Sequence, residues 1–564
     1  MKYPDLLNED VARVGVQVAR KYNLQAGILL TDVIKTSLGP RGLEKVYIDI
    51  QGDATITKHG GAFLRKIDVD HPAAKAIIEG ANAVDTNVGD GTVTVAVLIG
   101  ALLKKANELL DLGIPPSIIT RGYETGGKIA LEVLSEIAQK SDSSNRNIMH
   151  DLAISCLKGK AIFNLSEDEV PIANMIIDAI CTITDFEKNQ IDIDKIKIEE
   201  KLGNLSEIEL IKGIVIDKTI DNSAMPNSIE DARILLTNED LETMRTRTEA
   251  EISINSPEQM SLFLNQESND IITKVKKIID SGANVVISRK GINSLAQECL
   301  ARAGIISMRR VKANDLWWVE KATGAKTCKS LENISSEELG IAKRVYQKNV
   351  GDDKMVFVDG CKNPQSVTLL LRANSKQYLD EFHRTALNVI YVLRDFIENP
   401  RVVGGGGSTE AIIAHKISER ATEIEGREQI VVEKFAEALE EIPITLARNV
   451  GMDTIDSLIE LRRQHAKFSN GKFSWIGIDS TNRKVSEIFS KRVIEPVVVK
   501  EQVIKTGVEV ANMIIRVDDV FMRDLIDNTH CHLDGTVHAH KDGGKSHNHF
   551  EQEGLEQRQM HHYY

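Results

Sequence analysis

Three glycine-bearing loops carry the residues best suited to chemistry in this 564-residue chain. The densest is "NVGDGTVTV", Asn87 to Val95. Gly89 and Gly91 let a backbone come close to a ligand, while Thr92 and the start of a helix offer hydroxyl and N–H donors to phosphate. Asp90 lies between the glycines, where its carboxylate suits Mg²⁺ held against phosphate oxygens. The same cluster also reads as a helix-capping device. "SLGPRG" (Ser37 to Gly42) offers Gly39, Arg41 and Gly42, and "VVGGGGS" places four glycines, Gly404 to Gly407, before a helix. Ordering four adjacent glycines is costly, so they read either as close backbone contact with a ligand or as a hinge. Neither a GxxxxGK[ST] loop nor a strand-initiated GxGxxG is present, and no nucleophile–base pair stands out. Cys156 and Cys299 fall in apolar helical text and read as core residues. Arg309, Arg310 and Lys312 form a small basic patch. Trp317 and Trp318 point about 100° apart on a helix, so one is expected as a partly buried anchor.

The elements that must hold these loops are legible as pattern. An amphipathic helix is expected from Glu9 to about Lys35, ended by "SLGPRG". A hairpin follows, turning at Gly52-Asp53, then helices at about Ala73 to Ala83, Val93 to Leu110 and Pro116 to Gln139. The polar run "SDSSNRN" marks a boundary, and "IDIDKIKIEE" alternates like a strand with one wet face. From about Ile211 to Gly360 strands alternate with helices, which indicates an α/β module with its own core. The text is mainly helical again beyond Gln377, with strands at "SWIGIDS" and "VIEPVVVK" and a last helix over roughly Glu501 to Met513. Helical ends around an α/β middle predict a nested arrangement, with both termini in one domain.

Bulk properties narrow the class. The length exceeds one ordinary core, and 42% hydrophobic with 27% charged residues is the composition of a soluble globular chain. A net charge of -13 repels a polyanion, which argues against nucleic acid as a partner. Apolar runs such as "VTVAVLIGALL" fall short of the roughly 18 to 20 residues that cross a bilayer. The acidic start lacks a signal-peptide core, so no membrane partner and a cytoplasmic location are expected. The six cysteines show no C-x-x-C pair and read as reduced thiols. The last residues hold eight of the 14 histidines in text too polar for a core, and residues 527–564 are expected to be a disordered tail.

Taken in order, the loops resemble the group II chaperonin family of archaea, the thermosomes, and of the eukaryotic cytosol. The resemblance rests on "TSLGPRG" (Thr36 to Gly42), "GDATIT" (Gly52 to Thr57), "DVDHPAAK" (Asp68 to Lys75), "VGDGT" (Val88 to Thr92), "SPEQM" (Ser256 to Met260) and "TGAK" (Thr323 to Lys326). It continues through "GGGSTE" (Gly405 to Glu410), "LARNVGMD" (Leu446 to Asp453), "VIEPVVVKEQ" (Val493 to Gln502) and "IIRVDDV" (Ile514 to Val520). It implies a multidomain α/β fold: an equatorial ATP-binding domain (1–143 and 402–526), a split intermediate domain (144–210 and 361–401), and an apical substrate-binding domain (211–360) with a helical protrusion near 239–276. It implies subunits of a double ring, hetero-oligomeric or homo-oligomeric, that captures unfolded client proteins. By the same resemblance Leu38, Gly39 and Pro40 would line ATP. Asp90 would hold Mg²⁺, with Gly89, Gly91, Thr92 and Thr94 around the phosphates. Gly406 would lie over the ribose, Glu495 would receive its hydroxyls, and Lys160 would report the terminal phosphate.

The chain departs from the family where water would attack. The family's "TNDG" reads "TKHG" here, with His59 in the aspartate's place, and its "HDAL" reads "RTAL", with Arg384 and Thr385. Threonine is no general base near neutral pH, and a neutral histidine is a poor Mg²⁺ ligand among oxygens. Losing a general base removes about 10²–10⁴ in rate, so the expectation is ATP binding with weak or lost hydrolysis. His59 itself, Asp53 or Asp395 are the alternatives for taking the proton. The departures mark a divergent member of the gamma-subunit type. The competing readings are a fully active, self-assembling folding ATPase and a structural ring or filament protein.

Overall fold

The computed structural model describes residues 11–14, 16–52, 54–158, 169–242, 257–332, 334–361, 365–467, 473–518, 520–523, 529–531 and 537–539. It divides into two compact units, residues 1–22 with 517–564, and residues 23–516. In the first unit, strand Val11–Val14 pairs antiparallel with Val520–Arg523. The long helix therefore begins at Val16, not Glu9; valines at positions 11 and 14 enter a strand pair instead. Within the histidine-rich end, the described residues form two strands, Thr529–Cys531 and Val537–Ala539, paired antiparallel.

The larger unit is built around separate cores. One is helical and draws on both ends of the chain, from Leu24 to Ile137 and from Val403 to Ile515. Its central helix, Thr92–Asp111, buries Val95 to Leu103 without a break, so the apolar run that was too short for a bilayer is a core helix. Each such Leu or Ile contributes about 1.5–3 kcal/mol by burial. Among the described residues no helix is long and apolar enough to cross a membrane. The last helix runs Val497–Arg516, earlier than its expected start at Glu501. The run "VIEPVVVK" splits at Pro496, with strand Ile494–Pro496 before it and helix after.

A second core packs helices Arg146–Lys158, Glu169–Ile183 and Lys376–Glu398 on a three-stranded sheet. Strand Val367–Ala373 is central there, parallel to Ile196–Leu202 and antiparallel to Glu209–Ile211. A seven-stranded sheet lies in the α/β module. Ser228–Thr237, Val285–Ser288 and Ile306–Met308 run parallel, while Gly340–Val350, Asp353–Cys361 and Gly213–Ile216 continue antiparallel. Alternate residues of Ser228–Thr237 feed different cores, Ile234 and Leu236 on one face and Leu235 on the other. Of the expected protrusion, residues 243–256 lie outside the described residues; the helix Pro257–Asp280 follows them.

A buried charge joins the three-stranded sheet to this module. Lys197 Nζ donates to Asp315 Oδ1 (2.6 Å) and to the Val215 carbonyl (2.7 Å), with Glu199 3.0 Å away. Trp318 donates its indole N–H to the Asp194 carbonyl (2.9 Å) and lies under the Lys197 ammonium, whereas Trp317 faces solvent. One tryptophan is thus the anchor, as its spacing predicted. Among the described residues Cys156, Cys181, Cys299, Cys328 and Cys361 are in no disulfide.

Candidate nucleotide site

The glycine loops meet because helices deliver them to one place. Helix Pro72–Val88 ends at Gly89 in the left-handed conformation (φ 69°), and Gly91 (φ 87°) starts helix Thr92–Asp111 without a side-chain cap. That helix N-terminus keeps its N–H groups for another acceptor. A Cβ on Gly89 would lie 2.4 Å from Tyr391 Cβ, and one on Gly91 would lie 2.9 Å from Val503, so only glycine lets the loop sit this deep. Asp90 Oδ1 accepts the Gly91 N–H (2.9 Å), and among the described residues no cation pairs with Asp90. A carboxylate with an oxygen to spare beside a helix N-terminus is a donor set that suits Mg²⁺ and phosphate together.

The four-glycine loop lies against Glu495: a Cβ on Gly405 would stand 2.9 Å from Glu495 Oε1, and one on Gly406 would stand 3.0 Å from the Ile478 carbonyl. Beneath it Lys500 Nζ bridges Glu410 Oε1 (2.8 Å) and Glu495 Oε2 (2.7 Å). Burial would pull the Lys500 ammonium down, but the two glutamates outweigh it and hold the lysine charged. The third loop is tied in by Asn449, whose amide donates to the carbonyls of Lys35 (3.0 Å) and Leu38 (2.9 Å). Pro40 receives the ammonium of Lys58 at its carbonyl (2.8 Å). Gly60 closes the circuit, since its Cβ would meet Val93 and, at 3.2 Å, the Thr92 hydroxyl. Leu38, Gly39, Pro40, His59, Gly89, Asp90, Gly91 and Thr92 are thereby gathered, with Gly406 and Glu495 joined to them through helix Val497–Arg516; Thr94 lies in the first turn of its helix. Lys160 lies outside the described residues.

His59 is buried at the start of a helix. It is the N-cap of helix Gly60–Lys66: Nδ1 accepts the Ala62 N–H (3.1 Å), and Nε2 faces Asp85 Oδ1 (3.3 Å). An imidazole whose Nδ1 lone pair takes an amide carries its proton on Nε2 and donates it to the carboxylate. Both nitrogens are engaged, which leaves no lone pair for a water proton. Burial raises the Asp85 carboxyl, but His59 and then Arg65 (2.6 Å) outweigh it and the net direction is down.

Helix Lys376–Glu398 meets these loops with a polar ridge. Glu381, Asn388 and Asp395 recur every seven residues, all buried, on a helix otherwise buried by apolar side chains. Glu381 accepts the Thr57 hydroxyl (2.8 Å), the Lys58 N–H (3.4 Å) and Arg384 Nε (2.9 Å). The Thr57 hydroxyl in turn accepts the His59 N–H (3.0 Å). A continuous polar chain therefore runs Arg384, Glu381, Thr57, His59, Asp85, Arg65. Thr385 spends its hydroxyl on the Glu381 carbonyl of its own helix (2.9 Å). At the far end, Arg394 holds Asp395 Oδ1 (2.6 Å) and donates to the Asn87 carbonyl, while Asp395 Oδ2 is buried without a partner. Burial pushes the Asp395 carboxyl up to about 7 against the pull of Arg394, with Glu398 and Asp90 adding to the rise. Sequence reasoning did not single out Glu381, Asn388 or Asp85. The heptad of polar residues in an amphipathic helix was the signal for the first two.

Fold and loops define a chaperonin. The chain matches the TCP-1/cpn60 chaperonin family over residues 30–524 and belongs to it. It is 40% identical over 518 residues to a thermosome subunit of Pyrococcus horikoshii, covering 91% of this chain and 93% of that protein. Against two subunits of Archaeoglobus fulgidus the values are 40% over 522 residues for alpha and 41% over 518 for beta, each covering 91% of this chain and 94% of the relative.

Proposed function

We propose that this chain is a subunit of an archaeal, cytoplasmic double-ring chaperonin that binds ATP–Mg²⁺ and unfolded polypeptide but hydrolyses ATP weakly or not at all. The observation that carries the reading is the commitment of both His59 nitrogens to protein partners beside an intact glycine cradle. Asp90 is the residue to hold Mg²⁺, and the first turn of helix Thr92–Asp111 receives phosphate. Leu38, Gly39 and Pro40 would line the nucleotide, and Gly406 and Glu495 would hold its ribose; Lys160, expected from the sequence for the terminal phosphate, lies outside the described residues. Bound ATP–Mg²⁺ would supply binding energy at this site, with Asp90 and the helix N-terminus orienting it and His59 committed to protein partners rather than to a water. Thr385 is turned to its own helix, so Asn388, on the ridge between Glu381 and Asp395, is the second position at which a carboxylate would restore hydrolysis.

Three domains are proposed, equatorial, intermediate and apical, with the boundaries expected from the sequence. Near-equal identity to alpha and beta subunits of one organism supports a third, divergent type, the gamma type, working beside active subunits. The hairpin Lys45–Ile48 and Ala54–Thr57 exposes Val46, Ile48 and Ile56 on a two-stranded sheet, a surface suited to a neighbouring subunit. The test is equilibrium ATP–Mg²⁺ binding by the purified chain and by Asp90→Ala. Magnesium-dependent binding lost in the variant supports the site. Equal binding by both proteins contradicts it.

A further inference from the structure

Five exposed cations crowd one edge of the seven-stranded sheet. Strands Val285–Ser288 and Ile306–Met308 run parallel, so their carboxyl ends fall side by side. Each is followed by a pair of basic residues, Arg289-Lys290 and Arg309-Arg310. The pairs are bound together, since the Arg310 N–H donates to the Lys290 carbonyl (3.0 Å) and the Val311 N–H to the Ser288 carbonyl (3.0 Å). Arg310 is held in the left-handed region (φ 52°), unusual for a residue with a side chain. Lys312 then caps helix Ala313–Thr323, whose N-terminus has no side-chain cap.

Two carboxylates answer this charge. Arg309 lies 3.6 Å from Asp221, and Arg310 lies 3.3 Å from Glu242. Among the described residues Arg289, Lys290 and Lys312 have no ion-pair partner. The surplus of three cations and an open helix N-terminus share the carboxyl edge of a parallel sheet, where α/β modules place their ligands. The rest of the chain is acidic, so this edge is an exception to its own field. Trp317 is exposed on the same helix, beside Lys321.

Resting on the chaperonin reading above, we infer that this edge captures acidic segments, rich in Asp and Glu, of unfolded polypeptide clients. Carboxylates of an extended segment meet Arg289, Lys290 and Lys312. The site gives the subunit a charge preference among clients, which burial of apolar surface alone does not supply.

The experiment uses the full chain and Arg289→Glu/Lys290→Glu/Lys312→Glu, all exposed positions. Binding is read by anisotropy of a fluorescein-labelled Glu/Leu peptide, and capture of a urea-unfolded protein of near-zero net charge is followed in parallel. The triple variant is expected to bind the peptide about tenfold more weakly, the order expected from loss of three exposed charge pairs. Peptide binding by the unmodified chain is expected to fade at about 0.5 M salt, and neutral-client capture to be unchanged. Equal peptide affinity in the two proteins overturns the inference. Equally tight binding of single-stranded RNA at this edge, lost in the variant, overturns it in favour of a polyanion site. Failure of both proteins to capture the neutral client defeats the chaperonin reading itself.

Discussion

The glycine side of the candidate cleft and its hairpin side differ in where their polar groups point. On the glycine side, Gly89 to Gly91 and Gly404 to Gly407 press against side chains from behind, and Asp90 and the helix N-terminus are left with capacity to spare. On the hairpin side, Thr57, Lys58 and His59 are consumed by Glu381, Pro40, Ala62 and Asp85. The first arrangement suits a ligand and the second suits a joint. A site can therefore retain what binds a nucleotide and lose what activates water, because the two tasks rest on separate segments of backbone.

The largest effect is expected at the support of the glycine side. Lys500→Met strands the buried Glu410 beside the part-exposed Glu495 and should cost about 3–5 kcal/mol, read from urea midpoints. An unchanged midpoint would mean the glycine loops do not depend on this pair. Next is Asp395, whose folded carboxyl titrates near 7 against 3.8 when free. A raised acid stabilises the fold below its unfolded value and loses that contribution as pH climbs from about 4 to about 7, by up to about 4 kcal/mol. Asp395→Asn should flatten that slope, and an identical slope in both proteins removes Asp395 from the account.

Gly89→Ala forces a side chain into a left-handed position and against Tyr391, for about 1–3 kcal/mol, and should lower ATP affinity with it. The smallest effect sharpens the hairpin side. His59→Ala removes a helix cap worth about 0.5–2 kcal/mol and should leave ATP turnover where it was. A drop in turnover would make His59 catalytic.

Much of this was legible in the sequence, for physical reasons. Gly89, Asp90 and Gly91 announce themselves because a left-handed turn before a helix needs glycine, whatever surrounds it. The hairpin at residues 45–57 follows from β-branched text on both sides of a turn. The role of His59 was not legible. Its spacing allowed a proton acceptor, and only the approach of Asp85 and the Ala62 N–H from elsewhere in the fold shows that both nitrogens are engaged. Thr385 drew attention by its neighbours in the text, yet the register of its helix puts Asn388 on the ridge with Glu381 and Asp395. The start of the first helix was misplaced because Val11 and Val14 find a strand partner more than 500 residues away, beyond the reach of any local pattern.

The most direct test of the central claim is single-turnover ATP hydrolysis by the purified chain, beside His59→Asp, Asn388→Asp, Thr385→Asp and the His59→Asp/Asn388→Asp pair. The unmodified chain is expected to bind ATP–Mg²⁺ with almost no turnover, and the pair to raise the rate by about 10²–10⁴. Turnover by the unmodified chain that none of these substitutions increases would contradict that claim.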